Sequence, residues 1–248
     1  MFEAISLLTF GVGILSGFIG GITGAGGGLI AAPYMMLIGI SPNIAVSTTK
    51  LAGIGVGAGS LSKFLRSNII DWTWVRRLLP ITVLAAVTGS FLLLQMPQWL
   101  IKLLSVVFSI EIALQLLFDR KAGLTTRQTS PLQTKIGYVL FYFIDTLRSA
   151  IGSGIGTLNV AVMMSLFGLE AVPANAIKRF ITFPALVINL IILIPNGLIN
   201  WQHGIALLAG TALGGYAGAH IAIARGNLFV KRAFLVTVII LAISALLV

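Results

Sequence analysis

Two glycine-led clusters carry the residues best suited to chemistry. GAGGG at 24–28 and GSGIG at 152–156 are each followed, at the same distance, by a Met-Met pair and then by a lysine within an apolar run. Gly24, Gly26, Gly28, Met35, Met36 and Lys50 become Gly152, Gly154, Gly156, Met163, Met164 and Lys178, each 128 positions on. Glycines let a backbone approach a ligand closely, and free N–H groups at a helix start favour an anion, helped by the helix dipole. A lysine in a bilayer-spanning run costs on the order of 3 kcal/mol on insertion scales, so it has a partner or a task. Lys178 also has Arg179 beside it. Backbone N–H groups and cations in this pattern would hold a small anion. Nearby hydroxyls and amides add hydrogen-bonding groups. The candidate substrate-binding set is therefore Thr23, Gly24, Gly26, Gly27, Gly28, Thr49 and Lys50 from the first cluster. The second contributes Gly152, Ser153, Gly154, Asn159, Asn175, Lys178 and Arg179. The competing uses are structural: small-residue helix packing, snorkelling or paired lysines, and hydroxyls bonded back to helix carbonyls.

Other chemistries find less support. GAGGG has no strand before it and no Gly-Lys-Ser/Thr after it, so it is not a phosphate loop. Without that motif, transport would draw on the gradient of the substrate or of an ion. Glu111, about two turns inside an apolar run, is the candidate proton-coupling carboxylate. Asp145 and Arg148, three apart, read as a local ion pair. The chain has no cysteine, and His203 and His220 have no suitably spaced second ligand, so neither a metal nor a cofactor is expected. No HExxH sequence and no aspartate pair suggests a membrane enzyme.

The elements that must position these residues are membrane helices. Hydrophobic residues make up 58% of the 248 and charged residues 9%, against about 25% charged in soluble domains. The net charge of +10 is spread over short loops and apolar runs, which argues against nucleic acid. Spans are expected near 3–21, 25–40, 43–66, 73–95 and 98–118, then 134–151, 154–168, 171–194, 202–224 and 228–248. The first run lacks preceding basic residues and a convincing cleavage site, so it reads as a retained span. The short glycine-led segments at 25–40 and 154–168 suggest broken or half-helices.

Basic residues give the expected orientation. Lys63, Arg66, Arg76 and Arg77 flank the third connection, Arg120, Lys121, Arg127 and Lys135 the central loop, and Arg225, Lys231 and Arg232 the last one. Placing these in the cytoplasm puts both termini outside and gives five crossings per half. Five is odd, so the second half is expected to enter inverted. The fold expected is thus an all-α integral membrane protein of about ten segments in two inverted five-segment repeats. Residues 1–118 form the first repeat, 119–133 the cytoplasmic connection and 134–248 the second. The four tryptophans fall at span ends, where they would anchor at the interface.

The stretches ITGAGGGLIAAPYMMLIGISPNIAVSTTK, GSGIGTLNVAVMMSLFGLEAVPANAIKR and GLINWQHGIALLAGTALGGYAGAHIAIARG resemble the sulfite exporter TauE/SafE family of multi-pass permeases. The first is similar to the family's SGxxGxGGGxxxxPxL pattern. The last resembles its glycine-rich stretch, with His220 where a basic residue often follows Gly-Ala. The resemblance runs from about Gly13 to Gly226. It implies a plasma (inner) membrane permease for a small anion, a sulfur oxyanion or organosulfonate such as sulfite or sulfoacetate. Its expected partners are that anion and the lipid bilayer, with a homodimer as a candidate assembly. A passive channel and a non-transporting scaffold are the alternatives.

Overall fold

The computed structural model describes residues 2–24, 26–97, 99–100, 103, 123–152 and 155–247. Its helices are α1 (Phe2–Thr23), α2 (Gly28–Leu37), α3 (Pro42–Arg66), α4 (Trp72–Gln95), α5 (Pro131–Ile151), α6 (Gly156–Ser165), α7 (Ala171–Leu193) and α8 (Trp201–Leu247). No strand occurs among the described residues. The boundaries follow local chemistry. Asp71 caps α4 by accepting from the Thr73 N–H at 2.8 Å. Ser130 and Gln133 form a capping box at α5, with Pro131 opening the helix. Both α1 and α5 end in glycines with left-handed φ, Gly24 at 77° and Gly152 at 90°.

Five of these helices are long and apolar enough to cross a membrane: Ser6–Thr23, Pro42–Arg66, Trp72–Gln95, Ala171–Leu193 and Trp201–Ala233. α5 carries Lys135, Asp145 and Arg148, yet exposes Val139, Leu140 and Phe143. α2 and α6 have ten residues each, so they rise about 15 Å, half of a ~30 Å hydrocarbon core. These are the short helices expected at 25–40 and 154–168. The last two expected spans, 202–224 and 228–248, are the two helical stretches of α8 on either side of non-helical Gly226, at φ 71°, ψ −171°. The expected span at 98–118 lies almost entirely outside the described residues.

The molecule is apolar outside and partly polar inside. Leu7, Leu15, Leu84, Phe91, Ile191 and Leu213 are exposed, while Lys50, Asp145, Arg148, Asn175, Lys178 and Arg179 are buried. That inversion suits a lipid surround. α1 packs on α8 through Gly13, Gly17 and Gly21; a Cβ at Gly17 would lie 2.5 Å from the Thr211 carbonyl oxygen. A small-residue stripe therefore brings α1 close to α8 up to Gly21, and within GAGGG itself Gly27 lies close to the Ala52 carbonyl of α3. α3 packs against α8, α7 and α2, and α4 against α5 and α7. Two surface expectations need correcting. Trp74 stacks on Phe167 with ring centroids 4.7 Å apart, so it packs within the protein, while Trp72, Trp99 and Trp201 remain exposed. Lys231, placed with the basic loops, is buried.

Candidate functional site

The cavity of interest forms where two broken helix ends meet α3 and α7. α1 stops at Gly24, α2 begins at Gly28, and α5 stops at Gly152. A cavity of about 40 Å³ lies between them, lined by Gly26, Gly27 and Gly28 of the first glycine run and by Gly152 of the second. α3 contributes Thr49, Lys50 and Gly53, α7 contributes Lys178, Arg179, Thr182 and Leu186, and α5 contributes Arg148. Each water needs about 10–15 Å³ of such space, so the cavity holds a few waters or a compact polar group.

The cations hold helix ends that belong to the other half of the chain. Lys50 Nζ donates to the Ser149 carbonyl at 2.6 Å and the Arg148 carbonyl at 3.3 Å, both at the end of α5. Lys178 Nζ donates to the Gly24 carbonyl and Arg179 Nη2 to the Gly20 carbonyl, both at the end of α1. Helix C-termini present unpaired carbonyls and a negative dipole end, so each cation has a structural partner. Arg148 pairs with Asp145 through Nε, as its spacing suggested. Four cationic side chains thus surround the cavity, and Asp145 is the one carboxylate bonded to any of them among the described residues.

Donors remain available. Arg179 Nε and Thr182 Oγ1 are buried and have no hydrogen-bond partner among the described residues. No side chain caps α2, so its first-turn N–H groups also lack that kind of partner. The arrangement can offer a small anion N–H donors, a hydroxyl and surplus positive charge in a site of restricted water access.

Of the residues selected from sequence, Gly26, Gly27, Gly28, Thr49, Lys50, Gly152, Lys178 and Arg179 line the cavity. Thr23, Gly24, Asn159 and Asn175 are buried nearby but do not line it. Thr23 Oγ1 donates to the Ile19 carbonyl, the back-bonding typical of membrane hydroxyls. Gly24 supplies the carbonyl that Lys178 holds. Asn175 Nδ2 bridges the carbonyls of Gly21 and Ile22, and Asn159 Nδ2 donates to Asp145. Ser153, Gly154 and the coupling candidate Glu111 lie outside the described residues. Sequence reasoning missed Arg148 as a lining residue, together with Gly53, Thr182 and Leu186. Helical spacing was the available signal: Thr182 and Leu186 stand four and eight residues beyond Lys178, and Gly53 three beyond Lys50.

Known proteins resemble this chain over most of its length. It is 25% identical over 224 residues to a probable membrane transporter protein of Haemophilus influenzae, covering 90% of this chain and 88% of that one. It is 23% identical over 222 residues to the probable membrane transporter protein YfcA of Escherichia coli K12, covering 90% and 82%. With the probable membrane transporter protein ORF9 of a Sinorhizobium species it shares 27% identity over 241 residues, 96% of this chain and 90% of the relative. These relatives are named as transporters, not as enzymes. No solved structure matches the chain. The profile of the sulfite exporter TauE/SafE family matches residues 9–245, and with its apolar spanning helices the chain belongs to that family of multi-pass membrane proteins.

Proposed function

We propose that the chain carries a small anion across the plasma membrane by alternating access, without ATP, and that the cavity between α2, α3, α5 and α7 binds it. The observation that carries this reading is the imbalance of side chains: four buried basic groups against one bonded carboxylate among the described residues, around a compact space. Charge of one sign in a poorly hydrated site is stabilised by a ligand of the other. A sulfur oxyanion or the head of an organosulfonate, such as sulfite or sulfoacetate, has the matching charge and acceptors. The family name supports transport of such a group, and the relatives' names support membrane transport.

Rocking of two inverted repeats, residues 1–118 and 134–248 about the connection 119–133, supplies the access change. The packing supports this division. Exchanging the halves turns α1 on α8 into α5 on α4, and α3 on α8 into α7 on α4, all of them present. Gly218 abuts Phe18 and Gly21, while Gly89 abuts Thr146 and Ser149, each contact residue 128 positions from its counterpart. Both termini face outward in this arrangement, as the basic loops suggest.

Proteoliposomes preloaded with unlabelled sulfite, thiosulfate or sulfoacetate should take up the same labelled anion transiently by counterflow. Conductance without counterflow would replace the carrier with a channel. Neither activity with any of the three would leave a scaffold.

A further inference from the structure

Asp145 has no task in anion binding, yet it is bonded to a residue that lines the cavity. It is 1% exposed and stands on α5 one turn before Arg148. Arg148 Nε donates to its Oδ1, and Asn159 Nδ2 of α6 donates to the same oxygen at 2.6 Å. Asp145 Oδ2 is buried without a hydrogen-bond partner among the described residues, and so is Asn159 Oδ1. Two donors thus converge on one oxygen, while two acceptors in the same bonded pair have none. A proton is the species that converts one of those acceptors into a donor.

Basic side chains surround the carboxylate: Arg148 on its own helix, Lys50 from α3 and Lys178 from α7 are the basic groups that act on Asp145 among the described residues. The side chain bonded to Asp145 from α6 is the neutral amide of Asn159. Arg148 is shared between an internal anion, Asp145, and any anion that enters.

We infer that Asp145 is the proton-coupling site of the transporter, an inference that rests on the anion reading above. The entering anion takes over Arg148, and the Arg148 Nε–H bond to Oδ1 breaks. An Arg148 N–H bonds an oxygen of the ligand, and Oδ2 gains an O–H bond to a proton taken from bulk water, whose hydroxide the buffer neutralises. No electrons move, and one proton is taken up for each anion bound.

The test uses the purified full chain in weak buffer with a pH indicator. It is titrated with sulfate, thiosulfate or methanesulfonate, which carry no titratable proton near neutral pH. The wild type should take up about one proton per anion bound. Asp145→Asn should bind anion without proton uptake, and in proteoliposomes should keep counterflow while losing accumulation driven by a pH gradient. Glu111→Gln should behave as wild type. Should Asp145→Asn fail to accumulate, Asn159→Ala must shift the proton concentration for half-maximal uptake by at least about threefold. Anion binding without proton uptake in the wild type, uptake retained by Asp145→Asn, uptake lost in Glu111→Gln, or an unmoved midpoint in Asn159→Ala would overturn the assignment. If no member of the panel binds the wild type calorimetrically, the anion reading itself fails.

Discussion

Replacing Lys50 with methionine separates the two tasks that its ammonium group could perform. Methionine keeps much of the length and apolar bulk but removes both charge and donor. The structural loss is bounded by the bonds to Ser149 and Arg148 carbonyls. The first, at 2.6 Å, is strong, and the second, at 3.3 Å, is weak. One hydrogen bond from a charged donor contributes about 1.5–3 kcal/mol. Relief of repulsion between Lys50 and Arg148 offsets part of that, so stability should fall by about 1–2 kcal/mol. The loss in binding follows from Coulomb's law. A bound anion about 5 Å from Nζ, at an effective dielectric near 20, interacts by about 3 kcal/mol. That is roughly a hundredfold in affinity. Lys178→Met, which also frees the Gly24 carbonyl, should show the same pair of losses. Thermal unfolding in detergent reads the first effect and calorimetric titration with the counterflow-active anion reads the second. If stability falls while affinity stays within about twofold, the lysines are helix caps alone, and the anion must be held by N–H groups, the arginines and Thr182.

Two further outcomes test the frame. A Cβ at Gly27 would lie 2.6 Å from the Ala52 carbonyl oxygen and 2.7 Å from its carbon, whereas one at Gly26 meets nothing within 4 Å. Gly27→Ala should therefore fail to accumulate as monodisperse protein. Gly26→Ala, strained by about 1–2 kcal/mol at φ 90°, should reach the membrane yet transport at least about tenfold more slowly, since its methyl group would stand among the residues that line the cavity. Wild-type transport by Gly26→Ala would place the anion elsewhere. Cysteines introduced at Pro97 and Asn196 should react with an impermeant reagent from outside, and one at Thr126 should not; labelling of only one outer site would defeat the inverted repeat.

Some of this site was legible in the sequence because it is written twice. Gly28 and Lys50 stood out through Gly156 and Lys178, and the cavity does draw together both lysines and three glycines of the first run. Arg148 escaped notice for two reasons. Its neighbour Asp145 explained it locally, a pairing the structure retains, and its counterpart 128 positions earlier is Gly20, so repetition marks nothing there. Asn159 and Asn175 were recognisable as costly polar residues, but composition cannot say which way an amide points. Both turn to partners of their own, a carboxylate and the carbonyls of a helix end. Of the helices, α2 and α6 were legible as short because glycine runs precede them, and the break in α8 at Gly226 falls in the gap that the sequence leaves between 224 and 228.

The cross-half caps also set an order for biosynthesis. Lys50 finds its acceptors at Arg148 and Ser149, 98 and 99 residues further along, while Gly20 and Gly24 wait 159 and 154 residues for Arg179 and Lys178. At about 5–20 residues per second, a ribosome needs roughly 5–20 s to deliver the first of these partners. For that interval the nascent first half holds a lysine and a frayed helix end in the membrane with nothing to match them. The first half alone therefore lacks the partners that its lysine and helix end have in the complete chain. A split chain should assemble only when both pieces are made together, and the two halves mature as one unit although each carries its own set of spans.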